Sequence, residues 1–210
     1  MVKHGFGVRA LGVMVSVGLL SRAAAAAEPL PPLPKLTIVW ADPDRLLRFG
    51  FESMAEEVVE IFEDAGIEVE WRKSVRGLDA ARSIPIIVHL TSSSSETWRL
   101  RQHTMGLMIP RPRSGLRRVI RVFFDEILRT LALEFDNSRM PSARETMLLA
   151  RGLGRVVAHE IVHAVAPDAP HAATGLMQLQ LNRAHLQMPS LRLSTESTNA
   201  LQAGLRSNEN

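Results

Sequence analysis

Ala158-His159-Glu160-Ile161-Val162-His163, followed by His171 and then by Gly175-Leu176-Met177, is the stretch from which the rest of the chain is read. On a helix His159 and His163 stand four residues apart, so both imidazoles lie on one face, one turn from each other. That spacing lets both bind one zinc ion. The carboxylate of Glu160, beside the first His, can take a proton from a metal-bound water. Zinc hydrolysis needs three protein ligands and one position open to water. The third ligand must come from beyond the helix, and Ala166-Pro167-Asp168-Ala169-Pro170 reads as the turn that brings the chain back. His171 is the natural third ligand. Asp168 is its rival, because a carboxylate also binds zinc, and His185 or a glutamate is a more distant alternative.

Working outward, Ser142 and Glu145 have capping-box spacing with Pro141 just before them, so the helix carrying the histidines should start at Ala143 and end before Pro167. Its core stripe is drawn through Met147, Leu148, Val157, Ile161 and Ala164. Gly152 and Gly154 each weaken it by about 1 kcal/mol relative to Ala, or allow close packing against the sheet. Upstream, apolar or alternating runs predict strands at 36–40, 67–71, 84–90 and 119–124. A short edge strand is predicted at 105–110, containing Gly106, Leu107 and Met108 and ended by Pro110. Asp42-Pro43 reads as a helix start, with helix to Ala65, an apolar stripe through Met54, Val58, Ile61 and Phe62, and Gly66 as the stop. Glu56, Glu57, Glu60 and Glu63 read as its solvated face. Strand, helix and strand in that order predict a parallel pair. A further helix is expected at 125–134, and Ser194 should cap a last one through Leu205. His89, inside the third strand, reads as a packed histidine, since nothing near it in sequence supplies a second donor.

The chain has 210 residues, enough for one domain with a substantial core. Residues 1–27 read as a secretory signal peptide, with Lys3, His4 and Arg9 before an apolar run and small residues at 23–27. Residues 28–34, rich in proline, read as a stiff linker, leaving 35–210 as a single domain. The expected product is exported, extracellular or periplasmic, monomeric and without a stable membrane anchor. Losing Lys3, Arg9 and Arg22 brings the formal charge from +3 to about zero, which removes the main support for a nucleic-acid partner. The remaining basic cluster, Arg111, Arg113, Arg117, Arg118 and Arg121, falls mostly in a turn marked by Pro110, Pro112 and Gly115 and reads as a solvated loop. There is no cysteine, so thiolate metal sites and cysteine nucleophiles are excluded. Histidine and carboxylate chemistry remain.

This ordered set of residues resembles the metzincin clan of zinc metallopeptidases, in which a helix carries His-Glu-x-x-His, a third ligand follows a turn, and a methionine turn lies below the metal. Leu153 through His163, His171 and Gly175-Leu176-Met177 are also similar to small secreted bacterial proteins, as is the strand ending in Phe123-Phe124-Asp125. The resemblance covers about residues 105–177. It implies an α/β (α+β) fold, a mixed and mostly parallel twisted sheet with an active-site helix and a C-terminal helix. It further implies zinc on His159, His163 and His171, Glu160 as general base, and Met177 beneath the metal. The edge strand at Gly106, Leu107 and Met108 would pair with an extended peptide or protein substrate. Two departures stand out. Ala166 occupies the position where the clan has glycine, with a turn two residues longer, and the chain has no tyrosine to act as a ligand or oxyanion donor. The implied function is a secreted zinc endopeptidase. The alternatives are an exported binding protein that keeps the fold without catalysis, and an amidase acting on cell-wall peptides.

Overall fold

The computed structural model describes residues 35–74, 76, 83–92, 104–109, 118–134 and 140–207. The signal peptide at 1–27, the linker at 28–34 and three arginines of the basic cluster (Arg111, Arg113 and Arg117) lie outside the described residues. Arg118 and Arg121 belong to a strand and not to a turn.

Runs rich in Ile and Val form the strands β1 (Lys35–Ala41), β2 (Val69–Arg72), β3 (Ser83–Thr91), β4 (Gly106–Ile109) and β5 (Arg118–Phe123). They make a five-stranded sheet in the order β2-β1-β3-β5-β4. β1 pairs in parallel with β2 and β3, and β3 with β5, while β4 is an antiparallel edge on β5. The fold is thus α/β, with a mixed and mostly parallel sheet. One face carries Leu36, Ile38, Ile86, Val88, Leu90, Ile120 and Val122, all buried, and helices pack on it. Among the described residues the helices are α1 (Phe51–Glu63), α2 (Phe124–Leu131), α3 (Ala143–Val165), α4 (Arg183–Gln187) and α5 (Thr195–Ser207); α1 and α3 contact the strands, and the others pack on α3. His89 is half-buried on β3, the middle strand.

α1 starts at Phe51 and not near Pro43. The Asp42 carboxylate accepts the N–H groups of Leu46 and Leu47, both at 2.9 Å, which folds residues 42–47 into a loop. Gly50, at φ 87°, then turns the chain into the helix. At the other end Gly66 (φ 73°) makes the expected stop, and the Ile67 N–H reaches back to the Phe62 carbonyl. α2 is shorter than expected, ending where Ala132 turns left-handed at φ 52°.

α3 begins with both halves of the capping box between Ser142 and Glu145. Its apolar surface differs from the predicted stripe. Met147 is exposed and Leu148 half-buried, whereas Leu149, Ala150 and Leu153 are buried, and every residue from Gly152 to Val162 is enclosed. Gly152 and Gly154 bring in neighbouring helices, not the sheet. A Cβ on Gly152 would stand 3.0 Å from Leu131 in α2, and one on Gly154 2.9 Å from the Met54 carbonyl in α1. Ser194 caps α5, accepting the Ser197 N–H at 3.1 Å.

Glu57 does not belong to a solvated face. Its carboxylate receives Arg155 Nε at 2.7 Å, and Arg155, wholly buried on α3, also donates to the His185 carbonyl at 2.6 Å. Burial pulls the Arg155 pKa down, and Glu57 opposes that shift. Removing one member of a buried pair strands the other charge, a loss of about 3–5 kcal/mol. Glu57→Ala is therefore expected to lower the unfolding free energy by about that amount, read as a lower urea midpoint at unchanged slope, and a Glu57→Met, Arg155→Met double variant to recover most of it. An unchanged midpoint in Glu57→Ala would show that the pair carries no structural weight.

Candidate metal centre

The last two turns of α3 bring His159 and His163 to one face, as their spacing requires. His159 is buried among apolar neighbours, and its Nδ1 lies 2.9 Å from the Leu176 carbonyl. A carbonyl only accepts, so Nδ1 carries the proton and Nε2 of the neutral ring presents a lone pair. His163 Nε2 lies 3.2 Å from His159 Nε2 and 3.2 Å from His171 Nε2. The three ligand atoms all fall within 4.8 Å of one another. Asp168 and His185 stay outside this cluster. Asp168 is exposed in the turn, while His185 caps α4, its Nδ1 accepting the Asn182 N–H at 3.2 Å.

His171 arrives by a route that needs no glycine after the helix. α3 ends at Ala166 with φ −126° and ψ 74°, outside the left-handed region. The Ala169 N–H closes a turn on the Ala166 carbonyl at 3.0 Å. The strand of chain after His171 is then folded back on itself, because the Ala172 N–H donates to the Met177 carbonyl at 2.7 Å. Gly175 makes that fold possible at φ 80°, and a Cβ there would stand 2.7 Å from the Arg192 carbonyl. Leu176 and Met177 are both fully buried. The Leu176 peptide thus works in two directions, donating its N–H to Arg192 at 2.9 Å and accepting from His159.

The protons of this cluster do not add up without a cation. His163 Nε2 has at most one hydrogen and faces two nitrogens at the same distance, so it cannot make a full hydrogen bond to both. Protonating the rings does not relieve this, because burial, followed by the neighbouring imidazoles, pushes the His163 pKa down to about 4. Burial likewise lowers that of His159, against the pull of the Leu176 carbonyl. Burial thus favours the neutral form of His159 and His163, and the ligand nitrogens of all three rings lie within 4.8 Å of one another. A metal ion satisfies all of them, so the donor set fits one.

Glu160, next to His159 on α3, lies against the strand β4. It is buried, which raises its pKa to about 7, and the backbone N–H of Met108 in β4 opposes the shift by bonding the carboxylate. The strand passes so close that a Cβ on Gly106 would stand 2.5 Å from Glu160 Cγ and 2.8 Å from Oε1. The structure therefore groups His159, His163 and His171, and separately seats Glu160 on Gly106 and Met108. Leu107 is directed away from this contact. The roles of the Leu176 carbonyl and of Gly106 are not readable from residue type, since both act through backbone atoms.

No protein-family model matches the chain, and comparison with curated proteins finds no match either.

His159→Ala, His163→Ala and His171→Ala are each expected to weaken divalent-metal binding by more than about 100-fold, measured by competition with a chromophoric chelator. Asp168→Ala and His185→Ala should bind as the parent does. Loss of binding in Asp168→Ala equal to that in His171→Ala would put the carboxylate among the ligands. Metal at 100 times its Kd should also raise stability by about 2.7 kcal/mol, and a chelator should remove that gain.

Proposed function

We propose that the chain is an exported, zinc-dependent peptidase of metzincin type, with His159, His163 and His171 as ligands and Glu160 as general base. The observation that carries this reading is the convergence of three imidazoles, beside a helix that also sends a buried carboxylate to β4, the last strand of the sheet among the described residues. Two of the three nitrogen separations, from His163 to His159 and to His171, are 3.2 Å, close to the roughly 3.3 Å between ligands about 2.0–2.1 Å from a tetrahedral zinc ion. Imidazole also binds copper, iron and nickel, and zinc is favoured because hydrolysis needs no redox chemistry. Bound there, zinc would supply Lewis acidity, polarising a peptide carbonyl and acidifying a water.

The chain's own groups would do the rest. Glu160 takes the proton of the attacking water and returns it to the amine nitrogen as the peptide bond breaks. The Leu176 carbonyl keeps His159 in one tautomer and one orientation, as outer partners of ligand histidines do. Among the described residues no strand pairs with the outer edge of β4, and an extended peptide can add there as a further strand. With no tyrosine in the chain, no phenol assists the developing oxyanion. Export follows from the signal-like residues 1–27, and the partner is a peptide or protein substrate.

Glu160→Ala is the decisive variant. It should keep one zinc per chain by elemental analysis and lose about 10²–10⁴-fold of its activity on casein or a peptide library. Equal proteolysis by Glu160→Ala and the parent would remove Glu160 from the reaction.

A further inference from the structure

The edge of β4 has only a few outward-facing backbone groups, and their identity follows from the pairing with β5. The Phe123 N–H donates to the Met105 carbonyl at 2.8 Å, which makes Met105 and Phe123 a hydrogen-bonded pair. In an antiparallel ladder such pairs alternate with pairs whose polar groups face away. With Leu107 opposite Arg121 and Ile109 opposite Val119, the groups of Leu107 and Ile109 point to β5. Those of Gly106 and Met108, opposite Val122 and Ile120, point away from β5, to an edge without a strand partner among the described residues.

One of these outward donors is taken. The Glu160 side chain lies against Gly106, close enough that a Cβ there would overlap three of its atoms, and its carboxylate accepts the Met108 N–H. An N–H has one proton to give. A peptide strand added to β4 would present a backbone carbonyl to the same Met108 N–H, so the carboxylate and the peptide compete for it.

We propose that β4 latches Glu160, and that an extended peptide pairing with this edge takes over the Met108 N–H and frees the carboxylate. The reading of the occupant as a peptide rests on the function proposed above. The latch couples two events that a peptidase must keep in order. Before the edge is filled, the carboxylate is held on the strand. After it is filled, a buried carboxylate without its donor needs another, and the attacking water or the departing amine supplies one. Gly106 is the positioning residue of this device, because only a residue without Cβ lets the carboxylate lie flat on the strand. Leu107, facing the neighbouring strand through its backbone, takes no part.

The test compares two variants that both lack the general base, so that hydrolysis does not intervene. In Glu160→Gln the amide oxygen still accepts the Met108 N–H, and in Glu160→Ala nothing does. The full chain, loaded with zinc and labelled with nitrogen-15, is titrated with acetyl-hexaalanine amide while the Gly106 and Met108 amide signals are followed. Before peptide is added, the Met108 amide should exchange with solvent faster in Glu160→Ala than in Glu160→Gln. Half-saturation should then come at about three- to tenfold lower peptide concentration in Glu160→Ala, the equivalent of one hydrogen bond. A Gly106→Ala, Glu160→Gln double variant, whose new Cβ pushes the side chain off the strand, should behave like Glu160→Ala. Equal half-saturation in all three would overturn the latch while leaving peptide pairing intact. No shift of either amide in any variant would overturn the pairing, and the latch with it.

Discussion

A helix enclosed on every side has no wet face on which to leave a polar group, and α3 is enclosed from Gly152 to Val162. Each polar side chain on that stretch must then find a partner inside the protein. Arg155 finds Glu57 on α1, His159 finds the Leu176 carbonyl, and Glu160 finds the Met108 N–H on β4. These three contacts go to three different parts of the chain, and each partner is held by the need of the helix. The site is a consequence of this arrangement. What orients the first histidine is the same bond that keeps a buried imidazole from standing alone.

The parts of this architecture that local chemistry controls were open to reading. Residues 142–145 announce a helix start, since Ser142 and Glu145 satisfy each other's backbone across one turn, whatever surrounds them. His159 and His163 share a face because any helix puts them there. The edge strand at Gly106, Leu107 and Met108 was marked by its brevity and by Pro110. Contacts between distant segments left weaker traces. Glu57 and Arg155 are 98 residues apart, and Glu57 sits in a row of glutamates that looks uniformly wet. A charge one turn before His159 in an otherwise apolar run was the signal available. The start of α1 was misplaced because Asp42 does accept backbone N–H groups, as a cap would, but those of a loop. The stripe through Met147 and Leu148 failed for a related reason. Periodicity locates one buried face, and α3 is half in the open at its start and wholly enclosed further on.

The turn from α3 to His171 reverses the chain without a glycine at the helix end. A left-handed residue directly after a helix reverses the chain in the shortest distance, and Ala166 does not adopt that conformation. The reversal is spread instead over a turn at 166–169 and a second fold further on, where Gly175 takes the positive φ. The turn and the fold bring His171 to the same nitrogen-to-nitrogen distance from His163 that His159 has, 3.2 Å in each case.

Burial falls along the cluster, from His159 inside the core, through His163, to His171 at the surface. The gradient sets the order in which the ligands are secured. His159 and His163 are placed by the helix, which the core holds with or without an ion. His171 is placed by a loop whose two ends are closed by backbone bonds, Ala169 to Ala166 and Ala172 to Met177. Neither bond involves a histidine, so the loop is shaped before any ligand atom is used. Ordering entropy that a floppy loop would lose on binding is then already lost in folding, and the affinity of the centre is higher by that amount. The same gradient leaves one side of the cluster, that of His171, turned to solvent.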